Sequence, residues 1–339
     1  MGRLIQNLQI KNFKSIRDLS LDCERINLFI GKPNAGKSNI LEAISLLGAK
    51  YTRGETSFMQ GFIRYNSITQ LFNNYNFREP IEVKANDALA VLRPTSHGQT
   101  DFNFSISSPP PDETSNWLKF FSSLDIGLLT NGRISNFGFN DGLSSIVKKY
   151  TFRPFSEFKE NELFLLPPYG DNFYFIVRSF QEIREEIQDF LKPNGLELLL
   201  DEESKRLMIL QREAASLISF PLHLIPDTFQ RYIFHLAAIF SNKDSVLLFE
   251  EPETHSYAPY VYQLAQHILQ DERNNQYFIT THNPYFLLPI LQETKDVAVF
   301  MTWFENYQTH CRKLSEEEIR EALDHGMDIF LNLDSLVPA

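Results

Sequence analysis

The chain has 339 residues, of which 43% are hydrophobic and 22% charged, with a formal net charge of -11. That balance supports a folded protein with a sizeable core rather than a disordered chain, and it opposes a surface devoted to phosphate backbones, whose binding draws on clustered Lys and Arg, while leaving room for a local basic strip. There is no long apolar run, no apolar stretch with a small-residue cleavage site at the start, and no metal-ligand spacing around Cys23 or Cys311; the expectation is a cytoplasmic protein without membrane contact, disulfide framework or zinc site.

In LIQNLQIKNFKSI, Leu4, Leu8, Ile10 and Phe13 alternate with polar residues, which predicts a strand with one buried face, and LSLDC predicts a second. Residues 26–30, INLFI, form a short apolar run of the kind buried on both faces of a sheet, and it ends at a glycine-bearing turn. Ile40, Leu41, Ile44 and Leu47 then recur at helical intervals, with Gly48 placed to close the helix. Residues 51–106 are aromatic and rich in strand formers, with IEVKA and DFNFSIS as strands, and SPPPDE breaks the pattern.

Residues 107–200 mix their signals: a Gly/Asn-rich loop in TNGRISNFGFNDG, an apolar ELFLLPP, and a helical run FYFIVRSFQEIREEIQDFL. They read as an insertion or lid, with no heptads sustained enough for a coiled coil. Lys148, Lys149 and Arg153 are the densest basic cluster and read as a solvated loop rather than a nucleic-acid strip. From residue 201 onward, TFQRYIFHLAAIF predicts a helix, SVLLF a buried strand ending in EEPETH, YVYQLAQHIL a helix, and QYFITTH another buried strand. Two buried strands that stop at polar, chemically capable residues fit a composite site at the carboxyl ends of a parallel sheet. The remainder reads as a strand end at HCRKL, a capping-box helix from Ser315 and a closing turn.

Gly31-Lys32-Pro33-Asn34-Ala35-Gly36-Lys37-Ser38 matches G-x-x-x-x-G-K-[ST] between a buried strand and a helix, the context that gives the motif its meaning. Glycines let the backbone wrap a phosphate, successive N–H groups and the helix N-terminus face the anion, Lys37 reaches the β/γ oxygens, and the Ser38 hydroxyl ligates magnesium. Glu250 and Glu251 follow four apolar residues, so that Glu250 would hold the metal shell, directly or through water, and Glu251 would orient or deprotonate the attacking water. His282, at the end of the QYFITTH strand, is placed to sense the γ-phosphate and to link it to the catalytic carboxylate through water. His223, His235, His255 and His267 read as packing or surface residues.

FKSI with INLFIGKPNAGKSNILEAI, then LLFEEPETHSYAP, then YFITTHNPYFL resemble the ABC-type ATPase heads of the SMC, RecF and OLD group, in their compact bacterial form without a Toprim nuclease. The resemblance implies an α/β P-loop NTPase fold: a two-lobed head with a mixed β-sheet flanked by helices and a short α-helical insertion. Residues 1–106 would be the N-terminal lobe, 107–200 the insertion or lid, and 201–339 the C-terminal lobe. It makes residues 31–38 the Walker A loop, with Gly31, Asn34, Ala35, Gly36, Lys37, Ser38 and Asn39 on the nucleotide, Ser38 and Glu250 on Mg2+, Glu251 catalytic beside Glu250 in the Walker B pair, and His282 the switch histidine.

Two features depart from the pattern. The first Walker B acid is usually Asp and here is Glu250, and the Ser-Gly signature expected before TFQRYIFHL is replaced by Ile225-Pro226-Asp227-Thr228-Phe229-Gln230-Arg231. Thr228 or Arg231 would stand in for the signature contact, with a plain helix cap at Asp227 or Thr228 as the other reading. Gln60 and Gln70 both qualify as the glutamine-loop residue. The resemblance further implies ATP bridging two heads of a homodimer or higher homo-oligomer, and ATPase activity gating a separate effector, a nuclease or Toprim-like protein, as in the phage-defence pairs Septu and PARIS; nucleic acid would be reached through the complex. A DNA-repair ATPase that binds DNA itself, or a non-hydrolysing scaffold, are the other readings.

Overall fold

A computed structural model describes residues 4–52, 55–95, 100–107, 124–139, 146–154, 162–213, 216–324, 330 and 333–337. SPPPDE and most of the segment after the final helix lie outside these residues. The central sheet has six strands in the order β16 (Gln308–Lys313), β15 (Val297–Glu305), β3 (Ile26–Ile30), β14 (Gln276–Thr280), β13 (Val246–Glu250) and β9 (Val147–Tyr150). All neighbours run parallel except β16, which returns antiparallel on β15. INLFI is buried at every position, as an apolar run predicts for a strand covered on both faces.

The two faces of this sheet feed two cores, and the alternation of side chains decides which residue goes where. Phe29, Val246, Leu248, Phe278 and Phe300 point into one core, shared with helix α1 (Lys37–Ser45) and a second, antiparallel sheet. That sheet runs in the order β2 (Ile16–Asp22), β1 (Asn7–Phe13), β4 (Ile81–Ala85), β5 (Ala88–Pro94), β6 (Phe102–Ser107), β7 (Leu124–Leu128) and β8 (Ile134–Phe139). Leu28, Ile30, Leu247, Phe249, Ile279 and Met301 point into the other core. This one is filled by α2 (Phe173–Ser179), α3 (Gln181–Leu191), α4 (Asp227–Ser241), α5 (Ala258–Leu269) and α6 (Pro284–Glu293). A three-stranded sheet of β10 (Leu196–Asp201), β11 (Arg206–Glu213) and β12 (Ser216–Pro221) joins α3 to α4.

The α/β architecture with a mixed sheet flanked by helices matches the expectation. Several local readings do not. TNGRISNFGFNDG is a hairpin in its described part: Thr130, Asn131 and Gly132 turn the chain and β8 pairs with β7. Helix α1 tightens to 3-10 geometry at Leu46, so it ends before Gly48, which is buried inside that 3-10 segment. FYFIVRSFQEIREEIQDFL is two helices, divided where Phe180 adopts extended angles. HCRKL is the strand end expected of it: His310–Lys313 close β16, the second strand of a β15–β16 hairpin turned at Asn306 and Tyr307, both with positive φ. The Ser315 capping box is made: the Glu318 N–H donates to Ser315 Oγ, and the Ser315 N–H donates back to Glu318 Oε2, opening α7 (Glu316–Asp324).

Lys148 and Lys149 are neither a solvated loop nor a basic strip. Both are buried on β9, hydrogen-bonded in register beside β13, because the strand needs its backbone partners more than its side chains need water. Lys148 Nζ donates to Asn242 Oδ1 and Ser245 Oγ, and burial lowers its pKa to about 7. Arg153 pairs with Asp171. Residues 107–200 thus contribute β7 and β8 to one sheet and β9 to the other.

Candidate functional site

The loop of residues 31–38 leaves β3 and enters α1 at the carboxyl edge of the parallel sheet. Gly31 has φ +147 and Gly36 φ +99, the region that favours glycine. Space excludes anything larger as well: a Cβ at Gly31 would stand 2.1 Å from the Thr302 carbonyl oxygen, and one at Gly36 would stand 1.9 Å from Thr309 Oγ1. The β15–β16 hairpin is therefore the wall behind the loop. Thr309 Oγ1 also donates to the Ala35 carbonyl at 3.1 Å and shares a hydrogen bond with Ser15 Oγ, while Asn39 Nδ2 donates to Ser15 Oγ at 2.7 Å. FKSI, the loop and the hairpin are stitched together by hydroxyls.

Lys37 Nζ donates to the carbonyls of Gly31 at 2.8 Å and Lys32 at 2.9 Å, folding the side chain back over the loop. Burial lowers its pKa to about 8, partly offset by the negative charge of Glu251. Glu250 ends β13, and Glu251 follows with φ +45, a left-handed conformation that a non-glycine residue holds only when its surroundings fix it. Here they do, since the Glu251 N–H donates to both the carbonyl and the hydroxyl of Thr280. The backbone twist turns the carboxylate across to the next strand, where Glu251 Oε1 lies 3.2 Å from His282 Nε2. His282 is pushed below its ordinary pKa by burial first and then by the Lys37 charge, against the opposing pull of Glu251.

Glu250 is the most heavily partnered carboxylate of the site. Its Oε1 accepts from Arg64 Nη2 at 2.9 Å, its Oε2 faces Lys149 Nζ at 3.2 Å, and the Ser38 hydroxyl lies near enough to favour its charged form. Desolvation raises its pKa, but Lys149, Ser38 and Arg64 together outweigh that and hold it below the usual range. Arg64 reaches back to Glu42, which is fully buried on α1 and paired also with Lys14. Glu253 is buried too: its Oε1 accepts from Thr281 Oγ1 at 2.6 Å and from the His282 N–H at 2.9 Å, while its Oε2 has no hydrogen-bond partner among the described residues.

The structure brings together Gly31, Asn34, Ala35, Gly36, Lys37, Ser38, Asn39, Glu250, Glu251 and His282. Thr228 lies elsewhere within the same chain, on the first turn of α4, with no hydrogen bond to residues 31–38 among the described residues. Neither Asp227 nor Thr228 caps that helix; Asp227 Oδ2 accepts from Arg231 Nε instead, at 2.7 Å. Gln70 is engaged in the capping box of Ser67, and Gln60 is exposed on a turn. Arg64 and Lys149, not a glutamine, reach the Glu250 carboxylate.

A family model described as AAA ATPase domain matches residues 4–196, more than half of the chain. The chain belongs to the AAA ATPase domain family. A second AAA domain model covers residues 172–288, so the matches run from residue 4 through His282. An ATP/GTP phosphatase of Helicobacter pylori is 22% identical over 326 residues, covering 84% of this chain and 86% of that protein. An OLD nuclease of Thermus scotoductus is 28% identical over 132 residues, but these are 38% of this chain and only 25% of that protein. A crystal structure of an Smc head bound to the C-winged-helix domain of ScpA superposes with a TM-score of 0.52 at 14% identity, covering 93% of this chain and 99% of that one, which shows a shared fold. This AAA ATPase domain is an SMC/RecF/OLD-like head, as the three motif blocks imply. No helix among its described residues is long and apolar enough to cross a membrane.

Four residues that the structure places around these carboxylates and His282 are not assigned there by the sequence: Arg64, Lys149, Glu42 and Glu253. A signal exists for two of them. Glu42 is an acid inside the apolar run ILEAI, and Lys149 sits in IVKKY, where charge interrupts a strand. Arg64 comes from an irregular segment and has no such mark.

Proposed function

We propose that this AAA ATPase binds ATP with magnesium and hydrolyses it, working as a homodimer or higher homo-oligomer with nucleotide bridging its heads, and that it gates a separate effector, a nuclease, in bacterial defence. The observation that carries the hydrolytic part is the meeting of Lys37, Glu251 and His282 at the strand ends, with the Glu251–His282 contact at 3.2 Å. Backbone N–H groups of the loop and the α1 N-terminus receive the phosphates, and Lys37 exchanges its two carbonyl partners for the β/γ oxygens. Glu251 orients or deprotonates the attacking water, and a neutral His282 donates its ring N–H to a γ-phosphate oxygen. The Ser38 hydroxyl lies close enough to the Glu250 carboxylate to favour its charged form, and these two hard oxygen donors would hold a magnesium ion. When bound, the ion neutralises charge on the triphosphate. Thr228 or Arg231 of a second head takes the part of the missing signature.

The effector reading is favoured over direct DNA binding by the fate of the basic cluster: Lys148 and Lys149 are buried and Arg153 is paired. Large exposed aromatics, Tyr257 and Tyr285, instead follow the two motif loops at the starts of α5 and α6, a composition suited to protein contact. The deciding experiment is ATP turnover with magnesium by the wild type, Lys37→Ala and Glu251→Gln, with molecular mass measured with and without ATP. Turnover confined to the wild type, and an ATP-bound dimer of Glu251→Gln, are expected. Absence of both turnover and dimerisation would leave a non-hydrolysing scaffold.

A further inference from the structure

The Glu250 carboxylate lies in a cationic cradle that a metal-holding group does not need. Arg64 Nη2 and Lys149 Nζ take one carboxylate oxygen each, at 2.9 and 3.2 Å. Lys149 is fixed: its side chain is 3% exposed, it projects from a paired strand, and its Nζ also donates to the Phe62 carbonyl at 2.9 Å. Arg64 is 69% exposed, yet it is anchored at its other end, Nε to Glu42 Oε1 at 2.7 Å, and Glu42 in turn holds Lys14. Five charges alternate through this chain from the β1–β2 turn to β13, and three of them are positive, so the cluster carries a net positive charge beside the phosphate loop. Burying an ammonium on a strand is costly unless its charge is used, and an apolar side chain of similar shape would serve packing as well.

Acidic groups at a nucleotide site repel a bare triphosphate, and a divalent cation ordinarily relieves that repulsion. Here the repulsion of Glu250 is already cancelled. We propose that Lys149, assisted by Arg64, supplies in advance the positive charge that the metal otherwise brings, so that this head binds a nucleoside triphosphate without magnesium and needs the ion only for turnover. The inference rests on the nucleotide-binding reading above and deepens it. Lys149 is the constant member because it is buried; Arg64, with its exposed side chain, has room to turn from Glu250 toward the triphosphate.

The test is the affinity of the full chain for a fluorescent, non-hydrolysable ATP analogue, measured once with magnesium and once with EDTA. The wild type is expected to bind in both buffers with dissociation constants within about threefold, and Lys149→Met to lose at least about tenfold more affinity in EDTA than in magnesium. Lys149→Arg, which keeps the charge, is expected to restore the wild-type ratio. A purely structural lysine would instead weaken both conditions equally, and that result overturns the proposal, as does a wild type that binds only with magnesium. If circular dichroism shows Lys149→Met unfolded, Arg64→Met carries the same comparison, and an unchanged ratio there overturns it. Failure of the analogue to bind in either buffer would remove the nucleotide reading together with this one, whereas binding confined to magnesium removes this one alone.

Discussion

Glu251 and His282 stand just past the ends of neighbouring strands, 3.2 Å apart, in a contact that depends on the left-handed backbone of Glu251 and on the Thr280 groups that hold it. Each side chain reports on the other. Burial and Lys37 lower the histidine pKa, and Glu251 is the only one of the three influences that raises it. Burial and Lys37 thus favour the neutral imidazole, which keeps one ring N–H to donate to a phosphate oxygen. In a proton NMR titration the His282 midpoint is expected below 6.5, the ordinary value, and lower still in Glu251→Gln, which removes the opposing charge. A midpoint that rises in the variant would refute this electrostatic account. Turnover is expected to fall as the pH drops through that midpoint, and Glu251→Gln to reduce it by about 100-fold or more, the scale of a lost general base.

Lys37 adds a second pH dependence on the alkaline side. Its ammonium is held by two carbonyls and desolvated, with a pKa lowered to about 8. A triphosphate favours the charged form, so ATP binding above pH 8 must be accompanied by proton uptake at this residue. Calorimetry in two buffers of different ionisation enthalpy is expected to show uptake at pH 8.5 and little at pH 7, with affinity weakening as the pH rises through that range. Lys37→Ala is expected to lose about 100-fold in affinity, the scale of a charge-assisted phosphate contact, and to show no uptake.

At Gly36 the constraint is geometric. With φ +99 and Thr309 Oγ1 only 1.9 Å from where a Cβ would stand, alanine is excluded twice over. Gly36→Ala is expected to cost about 1–3 kcal/mol of stability, seen as a lower Tm, and to displace the β15–β16 hairpin from the loop. Because both strain and clash contribute, Thr309→Ser in the Gly36→Ala background, which removes the methyl but keeps the hydroxyl, is expected to restore only a small part of the loss. Full restoration would show that the methyl contact, not the backbone, sets the glycine requirement.

What the sequence makes legible is the part where local pattern and chemistry coincide. INLFI, SVLLF and QYFITTH are apolar runs ending in functional residues, and each is a parallel strand ending at the site. Tertiary context decides the rest. IVKKY looks solvated because two lysines interrupt it; it is an edge strand of the central sheet because one lysine meets Asn242 and Ser245 and the other meets Glu250, contacts across about a hundred residues of chain that no local window contains. Arg64 is illegible for the same reason, being defined by Glu42 on a helix and Glu250 on a distant strand.

Glu253 supplies the last prediction, and the sign follows from its surroundings. The carboxyl is 6% exposed, its Oε2 has no hydrogen-bond partner among the described residues, and burial lifts its pKa from 4.5 to about 7 against the hydrogen bonds from Thr281 and His282 that favour the ionised form. An acid whose pKa is higher in the folded state than in the unfolded chain makes folding more favourable when protonated. Stability is thus greatest below pH 4.5, declines as the pH rises toward 7, and has lost the whole contribution above it, on the order of 3 kcal/mol. Glu253→Gln keeps a carbonyl acceptor for the Thr281 hydroxyl and the His282 N–H but does not titrate. The difference in Tm between this variant and the wild type is therefore expected to shift in favour of the variant between pH 5 and pH 8, whatever its value at pH 5. A difference that stays constant across that range would mean that Glu253 is already ionised in the folded protein at pH 5, its charge carried by the two donors at Oε1.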